Sequence, residues 1–327
     1  MSDELRSRAK VFPRVEKTGA ARGSLEDRAT ESAAPSMARG RLLIVLAAVL
    51  WSLSGLFKNV LKNNTPLPAL GPEPVGDLDI AFYRVLFAGL VLAPTLRRRD
   101  FSFRPAMLGM VAVFAAMNLT FVLALGGGKA SNAILLQYSA PLWLYLAGVW
   151  WLGEAGSRRG LASVLLGLAG VGVIFLGGGD EGGLPVLGLG LASGFFYAGV
   201  ILFLRVLRGA SSNWLTVVNH LGAAAAVAPI LFFSEKGWPS PTWQQAGVLA
   251  LFGGVQMGLP YLLMARGLRV VSPQEAGVIT LLEPLLNPVW AYLAAPQSES
   301  PTAYTFAGGA LILGALAWRY WPGRQSA

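Results

Sequence analysis

Apolar stretches follow one another almost without pause between Arg41 and Trp321, and this feature limits the chain to few folds. A helix of roughly 20 apolar residues crosses the ~30 Å hydrocarbon core of a bilayer. Charged residues make up only 13% of the chain, against about 25% in soluble proteins. The sequence therefore predicts an all-α integral membrane protein, because no gap within this region is long enough for a soluble domain.

The predicted fold has ten transmembrane helices, separated by turn residues such as those at 66–68 and 177–179. The predicted ranges are 41–62, 78–97, 104–126, 131–152, 158–177, 185–207, 213–234, 243–266, 273–295 and 302–321.

The basic residues test this count, because cytoplasmic loops carry an excess of Lys and Arg. One set of helix ends holds only Lys58, Lys62, Lys129 and Lys236. Gaining or losing a helix would destroy the alternation, so we predict that both termini are cytoplasmic. The arginines at the other, inner ends are Arg39, Arg41, Arg97, Arg98, Arg99, Arg104, Arg158, Arg159, Arg205, Arg208, Arg266, Arg269, Arg319 and Arg324.

Residues 1–38 differ in composition from the rest of the chain. They carry seven Lys or Arg and six Asp or Glu, without an apolar core to offset the entropy of ordering. We predict a disordered cytoplasmic tail rather than a signal peptide, since the first apolar run begins only near Leu42. Residues 323–327 are predicted to be a cytoplasmic C-terminal end.

The chain repeats itself with an offset of 143 residues, which aligns Ala133 with Ala276 and Pro141 with Pro284. Each half then has five helices, and an odd number reverses the orientation of the second half. This predicts two inverted five-helix repeats, residues 39–179 and 180–322, a transporter architecture with its site near the midplane. The alternative interpretation is chance similarity between two halves rich in Leu, Ala and Gly.

Several chemistries are excluded or unsupported. The chain has no cysteine and one histidine, which rules out thiol catalysis and Cys-based or His-cluster metal sites. The net charge of +9 is spread over short loops rather than one patch, so nucleic acid is not a predicted partner. No phosphate loop or nucleophile elbow occurs. We therefore predict no enzyme activity, no cofactor and no metal.

Ionisable residues at membrane depth are costly and default to functional hypotheses. Glu283 lies about ten residues, or ~15 Å, into the ninth predicted helix, close to the midplane. Its alternative role is helix packing. Arg84 lies about 9 Å deep in the second helix, where it either binds a substrate carboxylate or pairs within the protein. Asn219 and His220 lie at similar depth in the seventh helix, and Glu283 and His220 are the candidates for proton coupling.

Three prolines, Pro141, Pro260 and Pro284, lie inside the fourth, eighth and ninth helices. Each frees the carbonyl four residues earlier, and those carbonyls belong to polar residues. Free backbone groups persist in a membrane only where protein buries them or a wet cavity reaches them. We predict a central cavity, with simple kinks as the alternative. The predicted substrate-binding residues are Trp51, Tyr83, Arg84, Asn118, Gln137, Tyr138, Tyr197, Gln256, Tyr261, Thr280, Glu283 and Asn287.

With Leu152-Gly153-Glu154 ending the fourth helix, Leu282-Glu283-Pro284 in the ninth and Arg84 in the second, residues 40–321 resemble the drug/metabolite transporter superfamily, EamA type. Within it, the chain resembles YddG-type bacterial inner-membrane exporters of aromatic amino acids. The resemblance implies a monomeric carrier without ATP, with its cavity among helices 1, 3, 4, 6, 8 and 9. The chain departs from this pattern near Glu299, where the second Gly-Glu ending is lost.

The expected function is export of small amphipathic metabolites, aromatic amino acids first, by alternating access through a cavity between the repeats. The expected partners are this small-molecule substrate and the lipid bilayer. One alternative is a broad-specificity drug/metabolite or nucleotide-sugar/sugar-phosphate carrier. Phosphate would favour several basic residues in the cavity, and only Arg84 lies at depth. A second alternative is a non-transporting assembly factor or a membrane enzyme.

Overall fold

The computed structural model describes residues 36–150, 158–177, 183–207, 209–234, 240–268, 270–271, 276 and 279–320. Within these ranges the regular structure is entirely helical and no strand occurs. The predicted tail falls outside them except for its last three residues. Glu154 and the predicted C-terminal end also lie outside the described residues.

In the described part of the chain, eight helical stretches are long and apolar enough to cross a membrane. They coincide with the first eight predicted segments, although the first begins at Met37 rather than at 41. Three are interrupted, so eleven α-helices compose them, one with a π-helical segment, Phe252–Gly258. The helices are α1 Met37–Trp51, α2 Ser54–Leu61, α3 Asp77–Leu92, α4 Ala106–Gly127, α5 Ala130–Gln137, α6 Ala140–Trp150, α7 Arg158–Leu176, α8 Gly183–Val206, α9 Ser212–Phe232, α10 Trp243–Leu251 and α11 Leu259–Gly267.

Two further helices occupy the last two predicted segments. They are α12, Leu282–Ala294, and α13, Ala303–Tyr320. The first has 13 residues and is too short to span a bilayer by itself. Helical residues at 276 and 279 precede it, but the segment between 272 and 278 is only partly described. The structure thus supports a multi-pass helical membrane protein, and ten crossings stay a prediction.

Many large apolar side chains are exposed on the helices, as lipid contact requires, and small residues lie at several buried helix contacts. In α7, Ser163, Gly167 and Gly170 face the interior, whereas Leu161 and Leu165 are exposed. The α7 helix packs against α13, where the two backbones touch. A Cβ atom added to Gly170 would lie only 2.6 Å from the Gly308 carbonyl oxygen. Only glycine permits this approach.

The chain's two halves form one bundle, because the largest helix interfaces join a helix before residue 178 to one after residue 182. The core lies along these interfaces, with Phe114, Ile134, Phe252 and Ile312 among its fully buried residues. The largest pairs are α4 with α8, α7 with α13, α3 with α9, α1 with α11, α3 with the π segment, α4 with α9, and α5 with α8; α5 also contacts α12.

Substituting alanine for Gly170 should destabilise the fold, because the new Cβ must push the α7 and α13 backbones apart. Gly172→Ala is the matched control on the same helix, since nothing lies within 4 Å of its added Cβ. We expect Gly170→Ala to lower the free energy of unfolding by about 1–3 kcal/mol, and Gly172→Ala to leave it unchanged or raise it. Chemical unfolding in detergent measures both, and equal effects would contradict the close packing.

Candidate functional site

The first interruption separates α1 from α2 at Ser52 and Leu53, where the helical hydrogen-bond ladder is broken. Side chains from the second half of the chain bond the carbonyls there. The Gln256 side-chain amide donates to the Trp51 carbonyl at 2.8 Å, and the Asn287 amide donates to the Ser52 carbonyl at 3.0 Å. An unbonded carbonyl at this depth would cost several kcal/mol, so the break depends on these two amides.

Helix α12 contacts the same break through two further bonds. The Asn287 amide also donates to the Ser54 hydroxyl at 2.6 Å, and the Trp290 indole donates to the Ser52 hydroxyl at 2.9 Å. Asn287 is fully buried. It therefore acts as a connector between α12 and the start of α2.

A second pair of interruptions meets at Tyr138, between α5 and α6, and at Thr280, which precedes α12. The Tyr138 hydroxyl lies 2.8 Å from the Thr280 carbonyl oxygen and 2.9 Å from Oε2 of Glu283. Pro284 has no N–H to bond that carbonyl. The Glu283 backbone N–H donates to it at 3.0 Å instead, which leaves a second lone pair for Tyr138. The Tyr138 hydroxyl has one hydrogen, so it can donate to both oxygens only by sharing that hydrogen between them. If Glu283 is protonated, its carboxyl can instead donate to the Tyr138 oxygen.

Arg84 on α3 is buried, and neighbours hold its guanidinium on several sides. Its Nε donates to Oδ1 of Asn118 at 3.1 Å, and the Asn118 amide donates to the Ala81 carbonyl at 2.8 Å. The guanidinium carbon lies 5.3 Å from the Phe121 ring centre and 5.4 Å from that of Phe252. Among the described residues, its Nη1 has no hydrogen-bond partner. The cation is fixed in place, yet one of its donor groups is unused.

The π-helical segment brings Gln256 and Phe252 close to Arg84. A Cβ added to Gly253 would lie 2.6 Å from the Arg84 carbonyl oxygen and 2.9 Å from the Ala88 nitrogen. Only a glycine lets the segment pack so closely on α3. Because π-bulges occur often at functional sites, this local geometry distinguishes the segment from an ordinary packing helix.

These groups surround a cavity of about 490 Å³, a volume that includes its opening. Its enclosed space is about 50 Å³, well below the ~300–1,000 Å³ of sites that hold drug-sized ligands. The walls combine aromatic rings, two thioethers, two amides, one guanidinium and one carboxyl. The lining residues are Trp51, Arg84, Met117, Phe121, Gln137, Tyr138, Tyr197, Gln256, Met257, Tyr261 and Glu283.

The lining includes eight of the twelve predicted substrate-binding residues. The lining residues come from all six predicted helices that the resemblance implies, namely 1, 3, 4, 6, 8 and 9. Arg84 adds the second predicted helix. The other four predicted residues lie outside the lining. Asn118 accepts from Arg84, and the Thr280 carbonyl accepts from Tyr138. Asn287 donates to the Ser52 carbonyl at the first break, and Tyr83 packs on Phe87. Three lining residues were not predicted, Met117, Phe121 and Met257, because apolar residues on an apolar helix give no distinguishing pattern.

His220 lies behind the cavity wall rather than on it. Its Nδ1 is 2.7 Å from the Thr216 carbonyl oxygen, so Nδ1 carries the hydrogen and Nε2 is an acceptor. The ring packs at 5.0 Å against both Phe114 and Tyr261, and Tyr261 separates it from the cavity. Within the described part of the chain, Nε2 has no hydrogen-bond partner.

A buried ion pair lies between the cavity and one end of the bundle. Lys58 and Glu299, 5% and 2% exposed, form a salt bridge. Glu299 also accepts from the Asn59 amide at 3.1 Å and from the Ala130 backbone N–H, the first residue of α5, at 2.9 Å. Nearer the surface, Lys62 pairs with Asp77 at 2.7 Å. This cluster was not predicted, because Glu299 lies 169 or more residues from each of its partners in the chain.

The sequence matches the model of the EamA-like transporter family twice, over residues 38–176 and 184–320. Together the two matches cover most of the described chain. The boundary between them falls close to the boundary predicted between the two repeats.

Individual relatives agree with this match. A protein of Archaeoglobus fulgidus described as an uncharacterised transporter is 29% identical over 288 residues, covering 86% of this chain and 97% of the relative. An S-adenosylmethionine/S-adenosylhomocysteine transporter of Chlamydia muridarum is 27% identical over 299 residues, covering 83% and 89%. A solved crystal structure superposes with a TM-score of 0.61 at 17% identity, covering 89% of this chain and all of the other, which shows a shared fold.

Replacing Asn287 with alanine should destabilise the protein, because the Ser52 carbonyl and the Ser54 hydroxyl both lose a donor. We expect the free energy of unfolding to fall by about 1–3 kcal/mol. Asn213→Ala is the control, since the Asn213 amide makes a long 3.4 Å contact with Thr95 and should cost under about 0.5 kcal/mol. Thermal unfolding in detergent compares the two, and similar losses would show that the break does not depend on Asn287.

Proposed function

The chain belongs to the EamA-like transporter family, and from that premise we propose that its central cavity carries small amphipathic metabolites with both charges, aromatic amino acids first. The observation that supports this substrate class is the chemistry of the lining. Arg84 offers an unused donor for a carboxylate, and the carboxyl of Glu283 faces the same cavity and suits an ammonium group.

Aromatic rings form much of the remaining wall. Trp51 and Tyr261 pack edge to face at 5.3 Å, and Tyr138 and Tyr197 also line the space. Edge-to-face and offset-stacked contacts hold planar groups. Met117 and Met257 add polarisable surfaces that adapt to different shapes. This wall supports a planar or aromatic side chain on the proposed substrate.

Alternating access between two inverted five-helix repeats is the proposed mechanism. The helix pairing supports it. Each helix of the first half has a proposed counterpart in the second half. If every helix is exchanged with its counterpart, the α4–α8 interface becomes the α11–α1 interface, which is also present. The α3–α9, α5–α12 and α7–α13 interfaces each join a helix to its own counterpart, so they stay the same. Two halves with equivalent contacts can rock between two equivalent arrangements. The duplicated family match supports the same division.

The Lys58–Glu299 pair is the proposed closing contact of the present conformation. Lys58 lies seven residues beyond Trp51 and Ala130 seven before Gln137, so the cluster is ~10 Å from the cavity lining. It joins α2 and α5 of the first half to the α12–α13 connection of the second. Access from that end, the predicted outer side, would require this pair to separate.

A second candidate substrate is a sulfonium nucleoside of the S-adenosylmethionine class. The Chlamydia muridarum relative favours it. Such a molecule combines an amino-acid head group, a planar base and a cationic sulfur. The Glu283 carboxyl and the aromatic wall offer partners for all three features. A sugar phosphate is less well matched, because Arg84 is the single cation in the lining.

Proton coupling is proposed at Glu283 rather than at His220. The carboxyl faces the cavity and shares a hydrogen bond with Tyr138, so substrate binding and protonation compete for the same oxygens. His220 lies behind Tyr261 and would act only through that ring.

Counterflow in proteoliposomes tests the proposal. We expect exchange of phenylalanine, tyrosine or tryptophan, with S-adenosylmethionine as the competing candidate. Glu283→Gln should lower exchange about ten- to hundredfold, because a hydrogen bond to a charged group contributes about 1.5–3 kcal/mol. Glu73→Gln, an exposed carboxyl outside the lining, is the control and should exchange normally. Exchange of hexose phosphates but not amino acids would refute the substrate class, and normal exchange by Glu283→Gln would remove this residue from the site.

Cysteine labelling tests the closing contact, because the chain has no native cysteine. A single Met117→Cys reporter places a thiol in the cavity lining. With Glu299→Gln or Lys58→Met, we expect an impermeant maleimide added at the predicted outer side to label this thiol at least about tenfold faster, a shift of ~1.4 kcal/mol. Lys62→Gln, in the more exposed pair, should change the rate less. Unchanged labelling in both Lys58 and Glu299 variants would contradict the closing role.

A further inference from the structure

The connection between α3 and α4 carries the densest group of exposed cations in the described chain. Arg97, Arg98, Arg99 and Arg104 are all exposed, and Asp100 is the one acidic residue among them. Within the described residues, none of these arginines lies within ion-pair distance of a carboxylate. The predicted topology explains why basic residues occur at this end of the bundle, but not why four of them occur within eight positions.

This connection is ordered by its own contacts. Asp100 closes a 3₁₀ turn, Arg98–Asp100, by accepting from the Arg97 backbone N–H at 2.7 Å. That hydrogen bond is the main reason why the pKa of Asp100 is lowered. The Trp214 indole at the start of α9 donates to the Ser102 carbonyl at 2.5 Å. The arginines therefore project from a fixed turn.

Two apolar rings accompany the cations. Phe101 packs against Trp214 with ring centres 4.7 Å apart and is 57% exposed. Phe103 is 74% exposed. Exposed phenylalanines beside arginines, immediately after one apolar helix and before the next, match the two zones of a lipid at the membrane interface. A soluble anion would bind the arginines but would make no contact that requires the phenylalanine rings.

We propose that this turn, residues 97–104, is a binding site for the head group of an anionic phospholipid. The guanidinium groups would contact the phosphodiester, because Arg presents paired donors that match phosphate geometry. Phe103 would enter the acyl boundary beside it. The turn contacts the start of α9 through Trp214, and α3 carries Arg84 into the cavity. A bound lipid would therefore stabilise the α3–α4 and α3–α9 interfaces.

The test uses full-length protein in zwitterionic detergent micelles, titrated with phosphatidylglycerol. Native mass spectrometry counts bound lipids, and thermal unfolding gives the apparent affinity. The test variant replaces the four arginines, Arg97, Arg98, Arg99 and Arg104, with glutamine. The matched control removes four exposed arginines from other helix ends, namely Arg39, Arg41, Arg158 and Arg266. Each basic residue near an anionic surface contributes roughly a fivefold change in affinity.

We expect the test variant to bind phosphatidylglycerol at least about tenfold more weakly, which is less than the product of four fivefold contributions. The control variant should bind nearly as the native chain does. A Phe103→Ser variant should weaken lipid binding but keep every charge. Equal losses in the two quadruple variants would attribute binding to net charge and overturn the site, as would native affinity in the test variant. The same stabilisation by inorganic phosphate alone would identify a soluble-anion site instead. If the quadruple variant does not fold, Arg98→Gln/Arg99→Gln provides the same comparison.

Discussion

The backbone carbonyls freed where the helices break are the constraint on which the central structure depends. In a bilayer, water cannot bond such groups unless a cavity admits it. Here Gln256 and Asn287 bond the carbonyls of the α1–α2 break, and Tyr138 bonds the carbonyl of Thr280. Each bond joins the first half of the chain to the second. The breaks that make room for a cavity thus also connect the two halves around it.

This constraint explains how far the sequence could predict the site. Proline removes a specific hydrogen bond, so the sequence indicated freed carbonyls near Pro141 and Pro284, although it placed both prolines inside continuous helices. In the structure Pro141, Pro260 and Pro284 all lie in the first turn of a helix that follows an interruption, where proline is tolerated. The break at Ser52 has no proline and was not predicted. Its cause is tertiary, since the bonds that satisfy it come from residues more than 200 positions away.

The long helices were predictable for a similar reason, since span length follows from bilayer thickness and breaks from turn residues. The partners of the buried charges were not. Nothing near Lys58 in the sequence indicates Glu299, and the loss of the family's second Gly-Glu ending made that position look unremarkable. Asn118 was predicted as a binding residue, whereas the structure makes it the support of Arg84. Residue type and depth identify polar groups that matter, but not which of them faces the cavity.

The proposed repeats are similar in packing but not in chemistry, and this difference would orient the proposed substrate in the cavity. Aligning Pro94 with Pro229 puts Arg84 of the first half against Asn219 of the second. Arg84 lines the cavity, whereas Asn219 is buried beside His220. Glu283 adds an acidic group from the second half.

A substrate carrying both charges would therefore bond one half at each end. Rocking the halves apart must stretch or break one of those contacts, so release can follow from the same motion that opens the cavity. A uniformly charged substrate would stay attached to one half throughout, with no such coupling.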